Sequence, residues 1–214
     1  MTGRQGRRLP WLTLYAVAMG FLEAVVVVYL RELYYPEGFR FPIEIIPDHV
    51  AIAELVRELT TILMIGAVAV LAGSSRTDRF FVFAYLFGAW DIVYYVALWL
   101  FLGWPASLMT WDVLFLVPVP WLGPVLYPVV ISLFLIVGFV VHDRLQKLGR
   151  PLRLTVLEWC IASAGALLVV VAFCWNWRTV AAGVTPERFP VALFTLGLLT
   201  GLVPFLIAGF RTRR

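Results

Sequence analysis

The sequence predicts an all-α polytopic integral membrane protein, a bundle of six transmembrane helices with both ends in the cytoplasm. Three observations carry that expectation. First, 62% of the 214 residues are hydrophobic and only 14% are charged, with a mean hydropathy of +0.92. Soluble domains carry roughly a quarter charged residues. A core of this size cannot bury the apolar surplus, so a bilayer must receive it. Second, six stretches approach the ~20 mostly apolar residues that a span needs: 11–30, 50–73, 80–102, 122–141, 154–175 and 190–210. Third, the basic residues alternate between the two faces that these spans define. The length suits a single membrane domain over 1–214.

The first stretch follows a basic leader with Arg4, Arg7 and Arg8. Such a pattern can be a signal peptide. At about 20 residues this one is longer than a usual signal-peptide core and lacks a small-residue cleavage site after it. An uncleaved first helix is expected. The second stretch is the least apolar, because Glu54, Arg57 and Glu58 lie in its first third. It spans only with those charged turns included. The third carries Asp91 near its middle. The fifth holds both cysteines, Cys160 and Cys174. On one helix they stand about 21 Å apart, too far for a bond within the chain. The sixth contains Gly197-Leu-Leu-Thr-Gly201 and the third Ala84-Tyr-Leu-Phe-Gly88. Both are small-xxx-small patterns that let helices approach closely.

The loops set the orientation. One face holds Arg4, Arg7, Arg8, Arg76, Arg79, Arg144, Lys147, Arg150, Arg153, Arg211, Arg213 and Arg214. The other holds Arg31, Arg40, Arg57, Arg178 and Arg188. The positive-inside rule then places both termini in the cytoplasm, and a bacterial inner membrane is the expected location. Segment 103–121 is too apolar for a free loop and too short to cross. Ser107 or Thr110 could cap a short helix that Pro118 and Pro120 would end. A re-entrant or interfacial half-helix is therefore expected on the outer face at about 105–117. The outer loops share a short echo, Pro36-Glu-Gly-Phe-Arg-Phe-Pro42 and Pro186-Glu-Arg-Phe-Pro190.

Ionisable side chains inside spans carry the strongest functional hint, since each costs roughly 2.5–3.5 kcal/mol at the bilayer centre. Glu23, Glu54, Arg57, Glu58, Asp91 and Asp112 all map to the outer half. Glu54 and Glu58 share a helix face that Thr61 extends, and Asp91 shares one with Tyr94 and Tyr95. The candidate site is thus Glu23, Glu54, Arg57, Glu58, Asp91, Tyr94, Tyr95, Trp111 and Asp112: an acidic intramembrane pocket that opens outward beneath segment 103–121. The competing account is structural, with Arg57 pairing to Asp91 or Glu23 and locking helices together.

Three functions suit such a pocket. It could bind or transport a small cation or amphipathic ligand. It could be an intramembrane enzyme for a lipid-like substrate, with Asp91 or Glu58 as general acid or base and Arg57 on an anionic headgroup. It could be the docking face of an accessory subunit, alongside a membrane-protein partner or a second copy of the chain. The bilayer is the expected surrounding, and no nucleic-acid partner is expected. No nucleophile–base spacing, no His-x-x-x-His and no glycine-rich phosphate loop is present. His49 and His142 fall on opposite faces and cannot share a metal.

Trp104, Trp111 and Asp112 after the third span, with His49 before the second, resemble the tryptophan-rich haem-handling proteins of cytochrome c maturation. Those proteins also have six spans, and the resemblance implies a haem ligand at His49. It covers a handful of residues. The dense tryptophan run is missing here, and so is a second outer histidine after the fifth span. The second axial ligand is lost with it. No other cofactor is indicated, and no metal site.

Overall fold

A computed structural model describes residues 2–41, 43, 47–117 and 119–211, with the backbone alone for 2–7. Pro42, Pro118 and the side chains of Arg4, Arg7, Arg213 and Arg214 lie outside the described residues. The described structure is 73% helical. Among the described residues, six helices are long and apolar enough to cross a membrane. They are α1 (Thr2–Tyr34), α2 (Asp48–Ala72), α3 (Arg76–Leu102), α4 (Leu126–Lys147), α5 (Val156–Cys174) and, after the short α6 (Trp177–Ala181), α7 (Val191–Arg211). Each contains the core of one expected span, although the fourth begins at Leu126 rather than 122. The ends follow local chemistry. Ser75 caps α3 by accepting from the Asp78 amide, and Thr155 with Glu158 forms a reciprocal capping box on α5, satisfying amides that a helix start leaves open. Gly103 ends α3 with φ at 63°, a left-handed conformation that favours glycine.

The helices fall into two groups. α3 packs between α1 and α4, and α5 pairs with α7. Missing side chains permit both contacts. A Cβ on Gly165 would lie 2.6 Å from Gly201 Cα and 2.7 Å from Gly197 O. The expected Gly197/Gly201 pattern is therefore the seam against α5. A Cβ on Gly88 would lie 2.6 Å from Ser132 O, so the second pattern is the α3–α4 seam. Phe80, Trp159 and Phe205 join the two groups at one end, where the Phe80–Trp159 centroids are 4.9 Å apart. Leu71, Val156 and Leu167 are among the large apolar side chains left exposed. A bilayer would cover such a surface.

The expected half-helix at 105–117 is not formed. The segment instead makes an antiparallel hairpin of β1 (Trp111–Phe115) and β2 (Trp121–Pro124), so the fold is not wholly helical. Ser107 and Thr110 close a turn rather than cap a helix: the Ser107 amide donates to Thr110 Oγ1 at 3.1 Å, and the Met109 amide donates to Ser107 Oγ at 3.2 Å. The physical reason lies in the flanking residues. Trp111, Val113 and Phe115 favour extended backbone, and prolines at 118 and 120 deny a continuing helix its amide donors. Pairing Asp112 with Gly123 and Val113 with Leu122 satisfies backbone groups that a dry environment would leave unbonded. The hairpin crosses the α1–α4 side and reaches α5. Phe115 faces Trp90 and Phe87, and Trp121 stacks on Phe173.

Candidate functional site

The hairpin marks one end of the bundle, here the hairpin end; the two chain ends mark the other. At the hairpin end α2 lays a narrow stripe against the bundle. Its buried residues are Glu54, Glu58, Thr61, Ile65 and Ala69, spaced for one helix face. The first three are polar, so this half of α2 docks through charge rather than apolar packing. Arg57 is the bridge. Its guanidinium pairs with Glu54 at 2.7 Å on the same helix and with Glu23 on α1. Thr61 Oγ1 donates to the second Glu23 oxygen at 3.2 Å.

A second pair lies alongside. Arg31, at the end of α1, approaches Asp112 on β1 at 3.2 Å. The Tyr95 hydroxyl donates to the other Asp112 oxygen at 3.1 Å. Arg31 also lies flat over Trp104, 3.6 Å from the ring centroid, with Phe39 at 4.6 Å. Asp112 is 2% exposed. Burial pushes its carboxyl above the usual aspartate range, while Arg31 and the Tyr95 hydroxyl act in the opposite direction. Tyr94 lies within charge-interaction range of Arg31, Arg57, Asp91 and Asp112, so the two pairs form one electrostatic neighbourhood.

Two carboxylates stand apart from both arginines' hydrogen bonds. Glu58 Oε2 accepts from the Leu116 backbone amide at 3.0 Å. Asp91 Oδ2 accepts from the Ser132 hydroxyl of α4 at 2.8 Å. Neither makes an ion pair among the described residues, although both are at least nine-tenths buried. Five buried carboxylates (Glu23, Glu54, Glu58, Asp91 and Asp112) therefore share two guanidiniums, Arg31 and Arg57.

Of the nine residues expected in the site, eight converge here. Arg57 pairs with Glu23, as one account required, and not with Asp91. Trp111 is the exception. It alternates with Asp112 along β1 and so points to the opposite face, where its ring meets Phe189 at 6.4 Å. Asp112 is a strand residue, not the first residue of a half-helix. His49 is exposed in the first turn of α2, with no ion pair among the described residues. No cluster of three metal-ligating side chains occurs among the described residues. Arg31 is the member that sequence reasoning missed, because it was counted as a loop charge. Its position directly after the expected span 11–30 was the available signal.

The opposite end holds a second buried polar cluster that was not expected. Arg8 on α1 grips Asp78 on α3 with two hydrogen bonds of 2.7 and 3.0 Å, and reaches Asp143 on α4 at 3.1 Å. The Ser74 amide and hydroxyl donate to Asp78 at 2.8 and 3.0 Å. Lys147 pairs with Asp143 at 2.6 Å. His142 stacks on Phe81 at 4.4 Å, with Nε2 3.3 Å from Asp78 Oδ1. His142 is buried. Charges balance better here than at the hairpin end: two carboxylates meet Arg8 and Lys147. Nearby on α5 and α7, Arg211 holds both oxygens of Glu158, at 3.0 and 3.1 Å.

No family model, curated protein or solved structure matches the chain. The functional reading therefore rests on the two clusters themselves.

Proposed function

We propose that the protein is a multi-pass protein of the bacterial inner membrane, with both termini cytoplasmic, that binds and carries a proton, a small cation or the cationic end of an amphipathic ligand at the hairpin end. The orientation follows from the twelve basic residues on the face of the termini against five on the other. The hairpin end then faces outward, and lipid covers the exposed apolar flanks.

One observation carries the binding reading. Glu58 and Asp91 are buried and hydrogen-bonded only to neutral donors, Leu116 N–H and Ser132 Oγ. An ionised carboxylate held that way in a dry interior is under-compensated, with Arg57 acting on Glu58 only through space and not by a hydrogen bond. It takes up a proton or a cation. Glu23, Glu54 and Asp112 do not share that demand, because Arg57 and Arg31 already answer them. The arrangement favours a cation over an anion, since each guanidinium already holds a carboxylate, with Arg31 Nη1 alone left without a hydrogen-bond partner among the described residues.

The test is thermal stability of the protein in lipid nanodiscs, titrated with sodium, potassium and methylammonium and across pH. The parent protein should be stabilised by one of these ions or by protons. Glu58→Gln and Asp91→Asn should still insert and fold while losing that response. Variants that keep the full response would sink the reading. Variants that fail to accumulate at all would favour a purely structural role for the two acids.

A further inference from the structure

We infer that the β1–β2 hairpin is a lid latched by Glu58, and that uptake of a proton or cation at Glu58 releases it. This rests on the cation-binding reading above and adds how the site opens.

The hairpin is held differently on its two sides. Toward α5 and α7 the contacts are apolar. Trp121 stacks on Phe173 with centroids 6.3 Å apart, and Gly123 fits against the Phe173 and Phe189 rings. Those contacts do not respond to charge. Toward α1–α3, two carboxylates hold the hairpin. Asp112 is a side chain of the hairpin itself and already has a cation, Arg31. Glu58 belongs to α2 and reaches across to the Leu116 amide, the first residue after β1. Leu116 opens the segment 116–120 that joins the strands, and Val117 beside it is exposed. Glu58 is thus the one carboxylate that both lacks an ion pair among the described residues and holds the hairpin's backbone.

A hydrogen bond to an ionised acceptor is roughly twice as strong as one between neutral groups. Neutralising Glu58 weakens the latch, and a cation drawn to its oxygens competes with the amide directly. The charged and titratable groups around Glu58 shape when this happens. Glu54 and Arg57 flank it on α2, Glu23 on α1 engages the same Arg57, and Tyr94 on α3 lies within range of Arg57, Asp91 and Asp112. Phe115, next to Leu116, packs on Phe87 and Trp90 of α3, an apolar contact on the same side as the latch that titration leaves unchanged.

Amide hydrogen exchange of residues 111–124 in nanodiscs, corrected for the intrinsic pH dependence of exchange, tests the latch. In the parent protein, exchange should quicken about tenfold as Glu58 titrates, the ratio expected when a charged acceptor becomes neutral. Glu58→Gln keeps an oxygen for the Leu116 amide but no charge, so its hairpin should exchange at every pH at the rate of the protonated parent. Glu58→Ala should exchange fast at every pH. A Glu58→Gln hairpin that titrates like the parent, or a Glu58→Ala hairpin as protected as the parent, overturns the latch. The two readings fail separately. A hairpin that opens with pH in a protein that methylammonium and metal cations leave unstabilised keeps the latch and loses the cation. Cation stabilisation with pH-independent protection does the reverse.

Discussion

Arg31 on α1 and Asp112 on β1 form a buried ion pair 3.2 Å apart, and the guanidinium is roofed by Trp104. The pair ties the hairpin to the helix on which the chain begins. Removing one partner leaves the other charge buried and unpaired, at a cost of about 3–5 kcal/mol. Asp112→Ala and Arg31→Ala should each lose stability on that scale in denaturant titrations of the reconstituted protein. Arg31→Lys should recover little of it, because an ammonium does not stack on Trp104 as a planar guanidinium does.

The same carboxyl makes a pH prediction. Its pKa is raised in the folded protein above its unfolded value, chiefly by burial. The proton-linked part of its stability, separate from the pairing with Arg31, is therefore complete below the ordinary aspartate pKa of about 3.9, and is lost as pH rises through the elevated folded value. Asp112→Asn should flatten that decline. Melting temperatures of parent and variant should diverge least in acid and most once the parent's carboxyl is ionised.

Two glycines should behave oppositely. Gly165→Ala pushes a methyl group to 2.6 Å from Gly201 Cα, with backbone on both sides and nothing to yield. Overpacking of that kind costs about 1–3 kcal/mol. Gly66 on α2 has open space where a Cβ would go. Gly66→Ala should be neutral, or stabilising by about 0.5–1 kcal/mol through helix propensity. Paired thermal unfolding of the two variants checks both.

At the opposite end, Arg8 and Asp78 should prove coupled. Their double hydrogen bond joins α1 to α3 where Asp78 is fully buried. A double-mutant cycle of Arg8→Ala and Asp78→Ala should give an interaction energy of about 0.5–3 kcal/mol. An additive pair would mean that the cluster is incidental to folding.

Reporter fusions address orientation. A cytoplasm-active reporter should work at either terminus and fail within 103–121. The reverse pattern would invert the assignment of the hairpin end to the outer face.

The helices were legible in the sequence because apolar length alone marks them. Glu23, Arg57 and Glu58 were legible as a group because charge inside a span is costly enough to stand out. Gly197 and Gly201 were legible as a contact because small residues at that spacing admit a second backbone. The hairpin was not. Residues 103–121 are apolar in either conformation, and only the partner strand at 121–124 decides between helix and strand. Arg8, Asp78, Asp143 and His142 were missed for a related reason. Each lies at a helix end, where sequence reads a solvated charge. Only tertiary packing shows that three such ends meet and exclude water. Arg31 was misread in the same way.

The polar stripe on α2 bears on how the chain enters the membrane. A segment that carries Glu54, Arg57 and Glu58 in its first third inserts poorly by itself. Arg57 answers Glu54 three residues back on its own helix and Glu23 on the helix made just before it. The first two helices thus share one cation, Arg57, between glutamates of both. The insertion machinery would receive them most cheaply together, with α1 kept beside the emerging α2 until Arg57 can reach Glu23.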